Sequence, residues 1–363
     1  MIYLAYLIFA FSVVQLLVAL SNLVCKQELK NSNSTFDGLV SVVIPARNEE
    51  ITIGNLLSDL QKQDYANIEI IVFNDQSTDR TATIVNEYSA IDTRIKLINS
   101  DVLPTGWLGK NHACFTASKH ANGDYLLFLD ADVRVRDAVI LNTVALAEKH
   151  TLGLLSVFPQ QQMHSLGERL TVPNMNFILL SLLPLGLVLK SKFPSLAAAN
   201  GQFMLFNAQV YAKTNPHDRF KNNKVEDIEI ARYFKQNDIA IACLTGDNSI
   251  TCRMYSGFDE AVNGFSKNVI NYFGNSFALA TFFCLITTFG IIPILLCLTP
   301  LMILLYLSTV IAIRIIISIV SKQNILLNIF LVLPQQIAMG LFVYKAFMNT
   351  FNNTYQWKGR NIS

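Results

Sequence analysis

Apolar residues run almost unbroken near both ends of the chain and come in short bursts between them. Met1 to Val24 carries no charged residue and is long enough to cross a bilayer as a helix. Its start, Met-Ile-Tyr-Leu-Ala-Tyr, lacks the basic opening of a cleaved leader, so residues 1–24 read as a retained anchor. Ala278 to Val320 is again apolar, with Arg314 its one charge, and is about twice the length of a single span. Pro293 and Pro300 can mark a turn inside it, and Ile325 to Tyr344 adds another apolar stretch. Residues 275–347 are therefore expected to hold two or three transmembrane helices. Phe258, Val262, Phe265, Val269 and Phe273 keep helical spacing, which predicts an amphipathic helix over 258–274, lying in the interface with Lys267 toward headgroups. Asn174 to Leu189 is apolar but broken by Pro184, and reads as an interfacial or re-entrant segment, with a true span as the alternative.

Between the ends, the bursts have strand and helix signatures. A polar linker, Gln27 to Gly38, leads into the β-branched run Leu39 to Ile44, a buried strand that Pro45 is expected to end. Ile53, Leu56, Leu57 and Leu60 give helical spacing across 51–63. Ile68 to Phe73 is a second strand, ending on Asn74 and Asp75. Gln76 to Asp79 is a turn and cap signal before a helix reaching Tyr88. Ile95 to Ile98, a helix near Lys110 to Ala121, and the strand from Tyr125 continue the alternation. The expectation is an α/β fold with a mostly parallel sheet covered by helices.

Composition then bounds the chemistry. Of 363 residues, 52% are hydrophobic and 15% charged, too apolar for an ordinary soluble protein. The net charge of +2 gives no basic field, so nucleic acid is not an expected partner. The six cysteines form no C-x-x-C pair, which argues against a zinc site or a disulfide framework. Lys26 and Lys30 follow the first apolar segment and place what comes next on the cytoplasmic side.

The candidate chemistry sits where strands end. Tyr125-Leu126-Leu127-Phe128-Leu129 stops on Asp130-Ala131-Asp132. In extended backbone the two carboxylates share a side, roughly 7 Å apart, and repel by about 2 kcal/mol at an effective dielectric near 20. A divalent cation carrying phosphate oxygens would turn that repulsion into attraction. The plainer alternative is that one caps a helix starting near Asp137 and the other is solvated. Arg47, Asn48 and Glu49, then Asn74 and Asp75, end the earlier strands, and loops at the carboxyl edge of one sheet would bring all three sets together. Neither a dinucleotide-binding nor a P-loop glycine pattern is present. Lys110, in Gly106-Trp107-Leu108-Gly109-Lys110, lies on a glycine-bearing loop that opens a helix, a good place for a phosphate.

Val42-Val43-Ile44-Pro45-Ala46-Arg47-Asn48-Glu49, Asn74-Asp75-Gln76-Ser77-Thr78-Asp79 and Asp130-Ala131-Asp132 together resemble the successive motifs of family-2 glycosyltransferases, GT-A-fold enzymes that use nucleotide-diphosphate sugars. The segment Gly106 to Cys114 is similar to a membrane-anchored branch that acts on carotenoid acids and hopanoids. The likeness covers roughly 39–270 and implies a catalytic domain over 39–257. It implies that Pro45, Ala46, Arg47 and Glu49 or Glu50 line the donor nucleotide, that Asp75 bonds the base, and that Asp130 lies near the ribose. It also implies that Asp132, with Asp130, binds Mg²⁺ or Mn²⁺ bridging the diphosphate. The chain has Asn74 where many members carry a second Asp. Gly201 and Gln202 fall in the family's acceptor-side loop. Glu226-Asp227 matches a pair in which the Asp is the base and the Glu its support, though acids favour a first helical turn in any case. Arg253 is expected to face the diphosphate. The Gln-x-x-Arg-Trp motif of processive members is absent, which argues against polymer synthesis.

The reading is an inverting glycosyltransferase for a membrane lipid acceptor, of carotenoid or other isoprenoid type, at the cytoplasmic side of the plasma membrane. Its partners would be a nucleotide-diphosphate sugar, the lipid and the bilayer. The alternatives are an enzyme of cell-surface glycan or glycolipid synthesis, and a transporter or scaffold with a degenerate nucleotide-binding domain. Against the last, the apolar spans hold almost no ionisable residues.

Overall fold

The structure is a computed structural model that describes residues 1–32, 36–136, 138–352, 356–357 and 360–361. Asp137, weighed above, lies outside the described residues. The chain divides into two compact units. One comprises 27–160 and 187–252; the other gathers 1–26, 161–186 and 253–363. The continuous 39–257 domain expected from the motifs is thus interrupted, because 161–186 groups with the apolar helices.

The first unit is built on a seven-stranded sheet. In chain order its strands are β1 (Val40–Ala46), β2 (Ile68–Asn74), β3 (Ile95–Asn99), β4 (Tyr125–Leu129), β6 (Leu154–Phe158), β7 (Phe203–Asn207) and β8 (Ile241–Thr245). β5 (Val133–Val135) lies outside that sheet and pairs antiparallel with β9 (Ile250–Cys252). The sheet order is β3-β2-β1-β4-β7-β6-β8. Only β7 runs against its neighbours. β2 and β4 are buried along their whole length, which is why their sequences are continuous apolar runs. Strand order reverses between β1 and β4, so the carboxyl edge there is the topological switch point at which such sheets bind ligands.

Two local expectations are corrected. Pro45 does not end β1, which continues to Ala46. β4 pairs with β1 only as far as Val43, and Ala46 faces β2, accepting from the Asp75 amide. Pro45 therefore faces the side where the ladder has stopped and no amide donor is needed. Asp130 to Val133 is not extended either. The Val133 amide donates to the Asp130 carbonyl at 3.1 Å, closing a turn directly after β4.

The second unit is helical and its polarity is inverted. Ile2–Cys25 buries Ser12, Gln15 and Asn22 while Tyr3, Leu7, Leu17 and Val24 stay exposed. Outward leucines with inward amides suit hydrocarbon rather than water. Ile2–Cys25 and Pro300–Val320 are each long and apolar enough to cross a membrane. A third candidate arises only if residues 258–273 and Phe277–Phe289, bent by 103°, count as one span. Pro300 opens its helix at the first position, as a turn-marking proline should, whereas Pro293 lies inside Ile291–Cys297. The stretch 325–344 is divided into Ile325–Phe330 and Val332–Asn352. The stripe on Phe258–Asn268 packs on protein: Phe265 is buried, with its ring 5.1 Å from that of Phe342.

The apolar stretch from Asn174 breaks as Pro184 implied. Pro173–Leu182 is a helix, and Leu183 is extended. Asn22 satisfies the freed backbone, donating to the carbonyls of Leu180 and Leu183 at 3.0 Å each and accepting from the Leu185 amide at 2.8 Å. Asn22→Leu would strand three polar groups in an apolar bundle. We expect it to destabilise the protein by roughly 2–3 kcal/mol, read as a lowered midpoint in detergent-solubilised thermal unfolding, with Asn22→Gln recovering part of the loss.

Candidate active site

Two loops at the carboxyl edge are stitched into one cradle. Arg47 donates through Nη1 to the Asp75 carbonyl at 2.7 Å. Asn48 adopts a left-handed backbone, φ 52°, and its Oδ1 accepts from the Thr78 amide at 2.8 Å. The Glu49 amide donates to Thr81 Oγ1, the Glu50 amide to Asp79 Oδ2, and the Arg80 amide to Glu50 Oε2. Asn74 uses both ends of its amide, donating to Asn99 Oδ1 and accepting from the Ser77 amide. A carboxylate there would lose the donor, which gives Asn74 a reason of its own. Glu50 is thereby tied into the loop, while Glu49 lies close enough to Asp132 to act on its charge.

The Trp107 segment delivers Lys110. Gly106 takes φ 83°, and Trp107 stacks on Phe115 at 5.2 Å. His112 packs edge-on against Trp107 and Phe73, a structural histidine. Asn111 donates to the carbonyls of Phe220 and Asn223 at 2.9 and 3.0 Å, fixing the loop that leads to Glu226. Lys110, the second residue of helix Gly109–Ser118, reaches Asp130 Oδ1 at 2.7 Å, the Gly201 carbonyl at 3.1 Å and Glu226 Oε1 at 3.8 Å.

Gly201 closes the cluster. Its amide donates to Asp227 Oδ2 at 2.8 Å, while Asp227 Oδ1 accepts from the Ile228 amide at 2.8 Å. A Cβ on Gly201 would fall 3.1 Å from Lys110 Nζ, so glycine lets the lysine pass. Ser156, on β6, holds this loop by accepting from the Asn200 amide and donating to its carbonyl. The Gln202 carbonyl accepts from the Asp130 amide, and Gln202 Nε2 lies 3.0 Å from Cys252 Sγ, beside Asp132. Gly201 and Gln202 are thus built into the carboxylate cluster itself.

One ammonium serves four carboxylates here. Burial works against the charge on Lys110, yet Asp130 and Glu226 outweigh it and hold its pKa above the usual lysine value. Burial, then the charges of Asp130 and Glu49, push Asp132 up to about 7. Its Oδ1 is shut off from solvent and accepts no hydrogen bond. Burial raises Glu226 to about 7 against the pull of Lys110, and raises Asp227 against its two amide donors. Glu226 is buried and Asp227 half-exposed, so of the pair Asp227 is the one open to a ligand.

Arg253 belongs to the helical unit. Its Nη2 lies 2.8 Å from Glu168 Oε1. Glu168 is the third residue of helix Leu166–Thr171 and completes a capping box whose Ser165 hydroxyl accepts from the Glu168 amide. Burial disfavours the Glu168 carboxylate, but Arg253, the His164 amide and Ser165 prevail and bring its pKa down to about 2. Arg253 is therefore engaged in a helix cap of its own unit. Sequence reasoning also missed Ser156, Asn111 and Cys252, none of which carries a pattern of its own. Among the described residues, no group of three or more His, Cys, Asp or Glu forms a metal cage.

The sheet order, with a mostly parallel sheet covered by helices and a turn directly after β4, is an α/β architecture of the GT-A type. Residues 41–214 match the family model for glycosyl transferase family 2. The chain is 29% identical over 233 residues to a 4,4'-diaponeurosporenoate glycosyltransferase of Staphylococcus haemolyticus, spanning 63% of this chain and 60% of that protein. It is 29% identical over 257 residues to that of Staphylococcus aureus, 67% of this chain and 64% of that one. The chain thus matches less than two thirds of these relatives' length. A mannosyltransferase from Pyrobaculum calidifontis, solved with GDP-Man and Mn²⁺, shares the fold at a TM-score of 0.57 and 16% identity, over 95% of this chain and 99% of that one.

An acid whose pKa is higher in the folded than in the unfolded state binds extra protons when folded. For Asp132, moved from 3.8 to about 7, stability is full below pH 4 and is lost as pH rises toward 7. Asp132→Asn should flatten that fall and raise metal-free stability at pH 8 by on the order of 1–2 kcal/mol, read from unfolding midpoints across pH.

Proposed function

We propose that the chain is an inverting glycosyltransferase that moves a sugar from a nucleotide-diphosphate donor to a membrane-dissolved isoprenoid lipid, of the carotenoid-acid type that the named relatives act on. The observation that carries the proposal is the convergence of Lys110, Asp130, Gly201, Glu226 and Asp227 within one hydrogen-bonded cluster beside the sealed oxygen of Asp132.

The loop Pro45, Ala46, Arg47 and Glu49, with Asp75 beneath it, would hold the nucleotide. Its mutual hydrogen bonds keep it shaped before the donor arrives. Asp130 would face the ribose. Asp132 and Asp130 would hold a divalent cation, Mg²⁺ or Mn²⁺, which when bound neutralises charge on the diphosphate. The fit rests on the unpaired Asp132 Oδ1 and the surplus of carboxylates; two carboxylates plus phosphate oxygens suffice for such a cation. The acceptor oxygen attacks the anomeric carbon as the bond to the phosphate oxygen breaks, and the electron pair leaves with the nucleoside diphosphate. Asp227, its two oxygens held by the amides of Gly201 and Ile228, takes the proton of an acceptor hydroxyl. An acceptor that is already a carboxylate needs this step less. Glu226 orients Lys110, whose ammonium stabilises the leaving charge.

The helices Ile2–Cys25 and Pro300–Val320 would tether this chemistry to the plasma membrane, with the catalytic unit on the cytoplasmic side where Lys26 and Lys30 follow the first span. Tethering raises the effective concentration of an acceptor that partitions into lipid.

Membranes containing the protein should release nucleoside diphosphate from a sugar nucleotide when Mg²⁺ or Mn²⁺ and lipid acceptor are supplied. No release with any common donor would remove the proposal. Asp132→Asn should abolish cation-supported donor binding, measured by calorimetry with the nucleoside diphosphate. Asp227→Asn should leave that binding intact and slow transfer to a hydroxyl acceptor by roughly 10²–10⁴-fold; an unchanged rate would mean another group is the base.

A further inference from the structure

Arg314 is buried inside the helical unit, on the span Pro300–Val320. Its Nη1 donates to Gln335 Oε1 at 3.3 Å and its guanidinium lies 3.7 Å from the Phe177 ring centroid. Among the described residues of its unit, no carboxylate is placed to balance it. That unit has three acidic side chains, Glu168, Asp259 and Glu260. Glu168 is bound to Arg253, Glu260 accepts from Ser256, and Asp259 is exposed in the first turn of its helix. An arginine stays charged in such surroundings, and one aromatic face offsets only part of the cost of taking a guanidinium out of water. An ionised residue within a membrane bundle normally has a partner.

The network around Arg314 is short of acceptors as well. Gln335 Nε2 donates to Asn328 Oδ1 at 3.0 Å, and Asn328 Nδ2 donates to Gln323 Oε1 at 2.9 Å. Gln323 Nε2, shielded from solvent, has no acceptor. A buried cation without a counter-charge and a buried donor without an acceptor stand at the two ends of one hydrogen-bonded chain. Arg314 is six residues from the end of its helix, about 9 Å along the axis, and Lys322 follows in the next turn. That depth is within reach of a lipid headgroup.

We propose that Arg314 is the centre of an oxyanion site in the membrane unit that takes the phosphate or carboxylate head of an anionic lipid, with the Gln335–Asn328–Gln323 amides setting its donors. Leu301, Leu304, Leu305 and Ile319, exposed on the same helix, make an amphiphile rather than a free ion the fitting occupant. The site does not depend on sugar transfer and stands or falls separately from it.

The test uses the full chain in a neutral maltoside detergent, with phosphatidylglycerol, diacylglycerol or inorganic phosphate added in separate arms. Phosphatidylglycerol should raise the thermal unfolding midpoint by roughly 3 °C or more, and diacylglycerol and inorganic phosphate should not. Arg314→Met should lose the shift and Arg314→Lys should keep part of it. An equal rise with diacylglycerol, or an undiminished rise in Arg314→Met, would overturn the site. A rise with inorganic phosphate alone would replace the lipid by a soluble anion. Should Arg314→Met fail to fold, the three additives on the wild-type chain and Arg314→Lys decide the matter.

Discussion

The catalytic unit depends on a charge imbalance. Lys110 is one ammonium among Asp130, Asp132, Glu226 and Asp227, with Glu49 acting from the neighbouring loop. Carboxylates so placed repel one another, and burial makes each harder to ionise. The fold bears this because every backbone group that can help is aimed at them: the Gly201 and Ile228 amides on Asp227, the Gly201 carbonyl on Lys110, and the Gln202 carbonyl on the Asp130 amide. An arrangement of that kind is relieved by any added positive charge, which is the electrostatic basis of the proposed function.

Much of this is legible in the sequence, and the reason is burial. β1, β2 and β4 are covered on both faces, so they appear as unbroken β-branched and aromatic runs. Each stops where polar residues appear, and those stops hold the candidate site. β6 escaped notice because Ser156 interrupts its five-residue run, whereas β8 is continuously apolar to Leu244 and is short. Ser156 is polar for a purpose that only the fold reveals, the grip on Asn200. The geometry of Asp130 and Asp132 was likewise hidden. The spacing suits a strand, but a turn begins as soon as β4 ends, and the two carboxylates interact across it.

Arg253 shows what a boundary between units does to a side chain. Cys252 lies next to Asp132, and Arg253 follows it directly in the chain. Yet the division between the two units falls between these residues, and Arg253 caps a helix through Glu168. Proximity along the chain says little at a boundary, whereas the capping-box spacing of Ser165 and Glu168 already offered that arginine a carboxylate.

The two units meet one requirement in two different solvents. In the sheet unit, Asn111 holds the carbonyls of Phe220 and Asn223, so that the loop before Glu226 needs no regular structure to keep its place. In the helical unit, Asn22 does the same for the break at Leu183, where water is not expected to help. Each asparagine replaces the hydrogen bonds that an irregular segment has forfeited, and each lies on a regular helix whose own backbone is satisfied. Irregular backbone is what lets the first unit open a site and the second bend its apolar segment. The amide side chain, attached to a rigid element, is what makes that irregularity affordable both at a charged mouth and within an apolar helical bundle.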